Sequence, residues 1–507
     1  MPFKVMFPDS KIAKKFSCAR TKTTAIVKLG LAPHFTKRVI DSMSTPFSLL
    51  MDESNDKTDK SCIILVRDPI VGEVRTRFLD MPVVNIGTAQ NLFLALKSSL
   101  TKHGLSFEKA VAFMSDTTNV MKGARSGVQK LIKNEIPSLY DVGCICHLAD
   151  LTVKAGLKAL PVDIDQLFVD VFYHFHHCSK RKQQFVDLWC SLFSTEPEIV
   201  LKHCPTRWLS LLKCVDRYLR QYDGLKSYFL SCDEAETVKV RNIISRLEHP
   251  LTKPLLLFLS FILPSVDRFN RLFQKSTENT TLQLYNEMNR LVRLYASSFL
   301  TLDTILAAND NLRNLEFAEE NQVSNEDLGI GTETWVTIAE LEATHDTAPF
   351  FNAVRAFYVN STKKMLNKFP FGDTLLKDLS VLQPENTSSF PFSTVASLAK
   401  RFPQIELSDS ASLDRLKEEF EDFKLSPGDL PSIVKYKAAD GVMRSKAGLF
   451  WSEVKKITTF DGQPRFHLLH QLMAGLLSIP VSNADSERGF SMLRKIHTEQ
   501  TLTNLPL

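Results

Sequence analysis

Two acids stand where a cation-binding or phosphodiester-cleaving site would need them. Asp52 closes the apolar run FSLLMD, and Asp116 closes AVAFMSD. A strand that ends on a carboxylate delivers it to the edge of a sheet. Two carboxylates a few ångströms apart repel each other unless divalent cations neutralise them. Mg²⁺ held by such oxygens and by substrate phosphate would activate a water and stabilise a leaving oxygen, and a third acid would complete the cage. Glu53 and Asp56 compete for the first position, because DESND offers three acids in five residues; Asp52 is preferred because it ends the apolar strand. The plainer alternative is that an Asp at a strand end serves as a turn or helix-cap residue.

Cys144, Cys146 and His147 in CICH carry metal-ligand atoms, but no second Cys/His pair at finger spacing lies nearby, so no structural zinc is expected. Haem attachment needs C-x-x-C-H, whereas this is C-x-C-H. His174, His176, His177 and Cys178 precede Lys180, Arg181 and Lys182. On a helix His174 would share a face with His177 and Cys178, and a polar helix end with a basic cap is the preferred reading.

The elements that would position these residues divide the chain in two. Phe47 to Asp52, Ser61 to Arg67 and Val74 to Met81 read as three strands of a meander. A helix over Thr88 to His103, a strand over Ala110 to Asp116, a helix over Asn119 to Lys133, a strand over Asp141 to Cys146 and a helix from about His147 follow. An acid in strand one and another after strand four resembles the layout of a ribonuclease-H-like core, where those strands are neighbours. Beyond about Pro161 the apolar period becomes 3.6, as in Leu211, Leu212, Val215, Tyr218 and Leu219 behind Trp208. Helices are expected within Leu282 to Leu306, Phe351 to Leu366 and Ser412 to Phe423. The stretches 319–333 and 384–397 read as connections. Leu468 to Leu477 predicts an apolar helix that breaks at Pro480 and resumes near Asn483.

Composition narrows the class. With 507 residues, 44% apolar and 23% charged, the chain can build a sizeable core and is not a disordered or collagenous sequence. The longest apolar run, Leu255 to Leu263, is bounded by Pro254 and Pro264 and is too short to cross a bilayer. No membrane association is expected. Nine scattered Cys suit a reducing compartment. The net charge of +5 is concentrated at the start, where residues 1–40 hold nine Lys or Arg and a single acid. Lys14 and Lys15 belong to this candidate phosphate-contacting surface, although a solvated helix face explains them equally well. Residues 315–346 hold nine acids and no Lys or Arg. They would repel phosphate, so any nucleic-acid face should be local.

PFSLLMDESNDKTDKS, FMSDTTNVMKGARSGV, CICHLADLTVKAG, CPTRWLSLL and LLSIPVSNADSERGFSML occur in this order and together resemble the hAT superfamily of transposases and their domesticated derivatives, from about Pro46 to Met492. The resemblance implies an α/β core of ribonuclease-H-like type with a mixed five-stranded sheet, interrupted by a large all-α insertion domain. On the matching positions it implies Asp52, Asp116 and Glu487 as catalytic acids and Mg²⁺ ligands. The rival role for Glu487 is a first-turn helix acid favoured by the helix dipole. The resemblance further implies that Cys144 and His147, in a C-x-x-H arrangement, contact DNA or brace the fold. Arg207 and Trp208 would handle a distorted DNA flank, Trp by stacking and Arg by pairing with phosphate.

The expected division is a basic helical segment over 1–45, the first part of the core over 46–205, the insertion over 206–460 with an acidic loop at 315–346, and a return to the core over 461–507. No zinc-finger pattern precedes Pro46, and the dimerisation signature is expected to be cut short after HTEQTLTNLPL, at residue 507. The leading expectation is therefore a domesticated or relic hAT-like protein that is nuclear, binds DNA and self-associates weakly through 461–507 without completing transposition. The alternatives are an active Mg²⁺-dependent transposase or nuclease, and a protein-interaction module.

Overall fold

The computed structural model describes residues 6–496 except 16–17, 44–45, 56–58, 71–72, 204–209, 233–236, 275–279, 310 and 438–440. Arg207, Trp208 and Asp56 lie outside the described residues, and so does the end of the expected dimerisation region.

The protein is a mixed α/β structure built on a five-stranded sheet of order β3-β2-β1-β4-β5, with β1 Phe47–Asn55, β2 Lys60–Ile70, β3 Glu73–Asp80, β4 Ala110–Ser115 and β5 Tyr140–Gly143. The first three strands pair antiparallel, while β1–β4 and β4–β5 are parallel. β1 and β4 are central and covered on both faces, which is why their sequences are continuously apolar rather than alternating. Alternation survives in where the side chains go. Phe47, Leu49 and Met51 enter one core, with α1 (Ala89–Lys102) and α2 (Val128–Glu135), while Leu50 points into the opposite, larger core. Thr88 caps α1, its hydroxyl accepting from the Asn91 amide at 3.3 Å.

The larger core is helical and continuous with the sheet. Its principal elements are α3 (Ile145–Leu157), α4 (Ser210–Ser231), α5 (Thr252–Phe273), α6 (Leu284–Ser297) and α7 (Ala348–Lys368). Gly156 lets α3 and α7 approach closely, since a Cβ there would stand 2.6 Å from the Phe357 ring. After the helical region, α8 (His467–Leu477) buries nearly its whole surface, and α9 (Ala484–Ile496) follows. Among the described residues no single helix is long and apolar enough to cross a membrane.

Several expected boundaries are corrected. Pro264 does not close the apolar run, because α5 passes through it. Pro264 is exposed, and buried Leu263 and Val266 on either side hold the helix together. The helix expected over Asn119 to Lys133 is broken into Asn119–Lys122 and Val128–Glu135, with Gly123 and Gly127 in close backbone contact between them. Region 206–460 is not wholly helical, since Lys435–Lys437 pairs with Met443–Ser445 in a hairpin too short to show a period. The acidic stretch 315–346 contains the helix Thr332–Glu342, and the expected connection 384–397 runs into the helix Phe392–Arg401.

Candidate functional site

Register brings the first two acids together. β1 and β4 are parallel neighbours in which Leu50 faces Met114. Asp52 and Asp116 each lie two residues beyond that pair, so they leave the same sheet edge on the same face, with strands about 4.8 Å apart. The Asp116 Oδ1 accepts from the Thr118 amide at 3.2 Å and from the Thr118 hydroxyl at 2.8 Å. This Asx-type turn stops β4 and aims the carboxylate. It also shows that the turn role and the site role coexist in one residue.

The third acid arrives through residues 478–487, a segment anchored by both backbone and side-chain groups. The Ser478 and Ser48 hydroxyls lie 3.0 Å apart in the buried interior. The Ile479 carbonyl accepts from Thr281 Oγ1 at 2.9 Å, and the Val481 carbonyl from the Ile145 amide at 3.1 Å. Ser482 Oγ donates to the Phe273 carbonyl at 2.5 Å. The Asn483 amide donates to Cys144 Sγ at 3.3 Å. The segment is thus pinned to β1, to the start of α3 and to the end of α5 before α9 begins. α9 then runs over β1 and β2, where Gly489 leaves room for Ile63.

The result is a cleft of about 570 Å³ lined by Asp52, Asp116 and Glu487. Asp52 is the deepest of the three. Burial, then the Asp116 and Glu487 carboxylates, push its pKa well above the usual carboxylate range, against the Glu53 amide, which donates to Asp52 Oδ1 at 3.0 Å. Glu487 is exposed on the first turn of α9. Glu53, the rival for the first position, also lines the cleft but is engaged in an ion pair with Lys60. Among the described residues no three His, Cys, Asp or Glu side chains are grouped closely enough to form a ready-made metal cage.

Cys144 and His147 both line the cleft, in different ways. The helix expected to start near His147 begins at Ile145, with Cys144 as its N-terminal flanking residue. Cys144 is fully buried. Burial opposes ionisation of its thiol, but hydrogen bonds from Cys146 and from the Asn483 and His147 amides hold its pKa down, while Cys146 is pushed up. Of the two expected roles, contact with DNA or bracing the fold, the structure shows the second: the Cys144 sulfur holds the 478–483 segment. His147 is half-buried, and its pKa is lowered by burial against the pull of Asp116 and Asp150.

Lys14 and Lys15 stand exposed on the short helix Lys11–Lys15 and do not line the cleft. His174 is buried, its Nε2 3.1 Å from the Tyr228 hydroxyl, while the His176 and His177 rings stack at 3.7 Å. That cluster serves packing. Sequence reasoning missed two cations in the cleft, Arg488 and Arg494. Arg488 Nη1 donates to the Gln274 carbonyl at 2.6 Å, and Arg494 Nη2 to Ser54 Oγ at 3.3 Å. For Arg494 helical spacing was the available signal, because Glu487, Ser491 and Arg494 fall at i, i+4 and i+7; Arg488, adjacent to Glu487, offered none.

All three acids offer oxygen donors suited to a hard divalent cation, and the inward Asp52 is the group whose ionisation a bound cation would favour. Arg488 and Arg494 line the same cleft as the three carboxylates. No family model matches this chain.

Proposed function

We propose that this is a hAT-transposase-derived protein with a ribonuclease-H-like core, whose cleft takes a divalent cation and a phosphodiester backbone. The observation that carries the reading is the meeting of Asp52, Asp116 and Glu487 in one cleft with Arg488 and Arg494. The strand order with β1 beside β4 and the long helical region between the second and third acids support it. Asp52, Asp116 and Glu487 would hold Mg²⁺, which when bound supplies charge neutralisation and an activated water for in-line displacement. The protein's own part is to orient the carboxylates and to meet phosphate charge with Arg488 and Arg494. A nuclear location goes with this reading. So does self-association; with α8 buried in the core, that role would fall to the exposed side of α9, where Met492 is exposed, and to residues beyond it.

Incubation of purified protein with Mg²⁺ or Mn²⁺ and a hairpin-forming duplex with flanking DNA tests the proposal. Strand cleavage is expected with the wild type and not with Asp116→Ala. Cation-dependent thermal stabilisation that is lost in Asp116→Ala reads the cation site separately. A second reading, nucleic-acid binding without cleavage, is favoured by the absence of a closed acid cage among the described residues. It predicts cation and DNA binding with no cut strand. Absence of both cation binding and DNA binding would remove the two readings together.

A further inference from the structure

A second pocket of about 310 Å³ opens between α5 and α6. Its floor is apolar: Phe269 and Leu291 are buried, Leu272 is half-buried and Leu294 is 43% exposed. Its rim is basic and solvent-facing, with Arg268 and Arg271 on α5 and Arg290 on α6. Asp267 pairs with Arg271 at 2.6 Å, and Glu287 pairs with Arg290 at 3.4 Å and with Arg444 at 3.7 Å. Three guanidiniums and two carboxylates therefore line the pocket, a surplus of one positive charge. An apolar floor beneath a positive rim fits a ligand with a flat apolar body and an anionic edge, which describes a nucleotide.

Position supports the same occupant. Arg271 and Gln274 are three residues apart and share one face at the end of α5, and Gln274 itself lines the acid cleft. At 1.5 Å rise per residue, Arg271 lies about 4.5 Å and Arg268 about 9 Å back along the helix from Gln274.

We propose that the groove between α5 and α6 seats an unpaired nucleotide flanking the phosphodiester held in the acid cleft, with its base on Leu272 and Leu294 and its phosphates on Arg268, Arg271 and Arg290. This rests on the phosphodiester reading of that cleft. The strand runs from the acids past Arg488 and Gln274 onto the exposed face of α5.

The test is titration of the full chain with a fluorescent single-stranded oligothymidine at several salt concentrations. Arg268→Ala combined with Arg290→Ala removes two phosphate contacts, so the salt slope is expected to become shallower by about 1.4 and affinity at 0.1 M salt to fall about 25-fold. Arg268→Lys with Arg290→Lys should restore most of the slope. Leu294→Ser should weaken oligothymidine without changing the slope. Mg²⁺-dependent thermal stabilisation should persist in all three, because none lies in the acid cleft. Wild-type binding that the double alanine variant leaves unchanged would overturn the groove while the acid-cleft reading stands. Failure of wild type to bind the oligonucleotide while Mg²⁺-dependent stabilisation persists would overturn the groove and leave the cation site standing; loss of both would overturn both. Equal competition by an oligoglutamate peptide would also overturn the nucleotide assignment, making the groove a site for acidic proteins.

Discussion

Asn483 Nδ2 donates to the Met51 carbonyl at 3.3 Å, joining the residue before Asp52 to the turn that launches Glu487 from 432 positions farther along the chain. The same side chain accepts from Ser486 Oγ at 2.8 Å, and its own amide is held by Cys144. Asn483→Ala should therefore leave a buried carbonyl and a buried hydroxyl without partners, at about 2–4 kcal/mol in total. Urea unfolding measures this, with exposed Ser491→Ala expected within about 0.5 kcal/mol of wild type. Equal midpoints for the two variants would contradict the anchoring role.

Gly156→Ala and Gly30→Ala should move stability in opposite directions. Nothing lies within 4 Å of a Cβ at Gly30, so alanine there should add roughly 0.5–1 kcal/mol through helix propensity. At Gly156 the Phe357 ring stands in the way at 2.6 Å, and overpacking between α3 and α7 should cost about 1–3 kcal/mol net. Thermal unfolding of both variants compares them directly.

Asp52 gives the protein a pH dependence of predictable sign. Its pKa is raised in the folded state, first by burial and then by Asp116 and Glu487. The folded state therefore holds this proton more tightly than the unfolded chain, and the contribution of Asp52 to stability falls as pH rises from the unfolded carboxylate value through the folded one. Asp52→Asn should raise the melting temperature at neutral pH, with the difference from wild type shrinking as pH falls towards the unfolded carboxylate range. Added Mg²⁺ should stabilise wild type and not the variant. A variant less stable than wild type at every pH would rule out this electrostatic account.

Arg77 ties the N-terminal helix to the sheet. Its Nη2 reaches the two oxygens of buried Asp68 at 2.6 and 2.7 Å, and its Nη1 donates to the Val39 carbonyl at 3.1 Å and to Ser42 Oγ at 2.6 Å. Arg77→Met would remove the bidentate guanidinium from buried Asp68 together with two bonds to the N-terminal helix, at roughly 1.5–3 kcal/mol. Limited proteolysis should then cut within Arg20–Asp41 well before the sheet, a difference that gel analysis reads directly.

The sheet was legible because its period and its turns agree. The strands expected to begin at Phe47, Ser61, Val74 and Ala110 each begin within one residue of that position. Asp116 was legible as a strand-end residue, whereas Asp52, expected to close its strand, is followed by three more paired residues of β1; the in-register pairing of the two is a property of a parallel contact that sequence spacing does not encode. Glu487 illustrates the limit: its chemistry on sequence alone is that of a first-turn helix acid, and only the anchors from Ser478 to Asn483 carry it to the cleft. How Cys144 braces the fold was not legible, because its sulfur accepts a backbone amide from a segment distant in sequence. The passage of α5 through Pro264 was hidden for a related reason, since tertiary packing there overrides a local helix breaker.

The late arrival of the 478–487 segment sets an order of events during synthesis. β1 and β4 leave the ribosome hundreds of residues before α9, and at roughly 5–20 residues per second the gap between Asp116 and Glu487 corresponds to about 20–75 s. Throughout that interval the edge carrying Asp52 and Asp116 is uncovered, and the nascent polypeptide cannot assemble the three-carboxylate cleft. A prematurely terminated product lacking the Ser48–Ser478 clasp would be born without it.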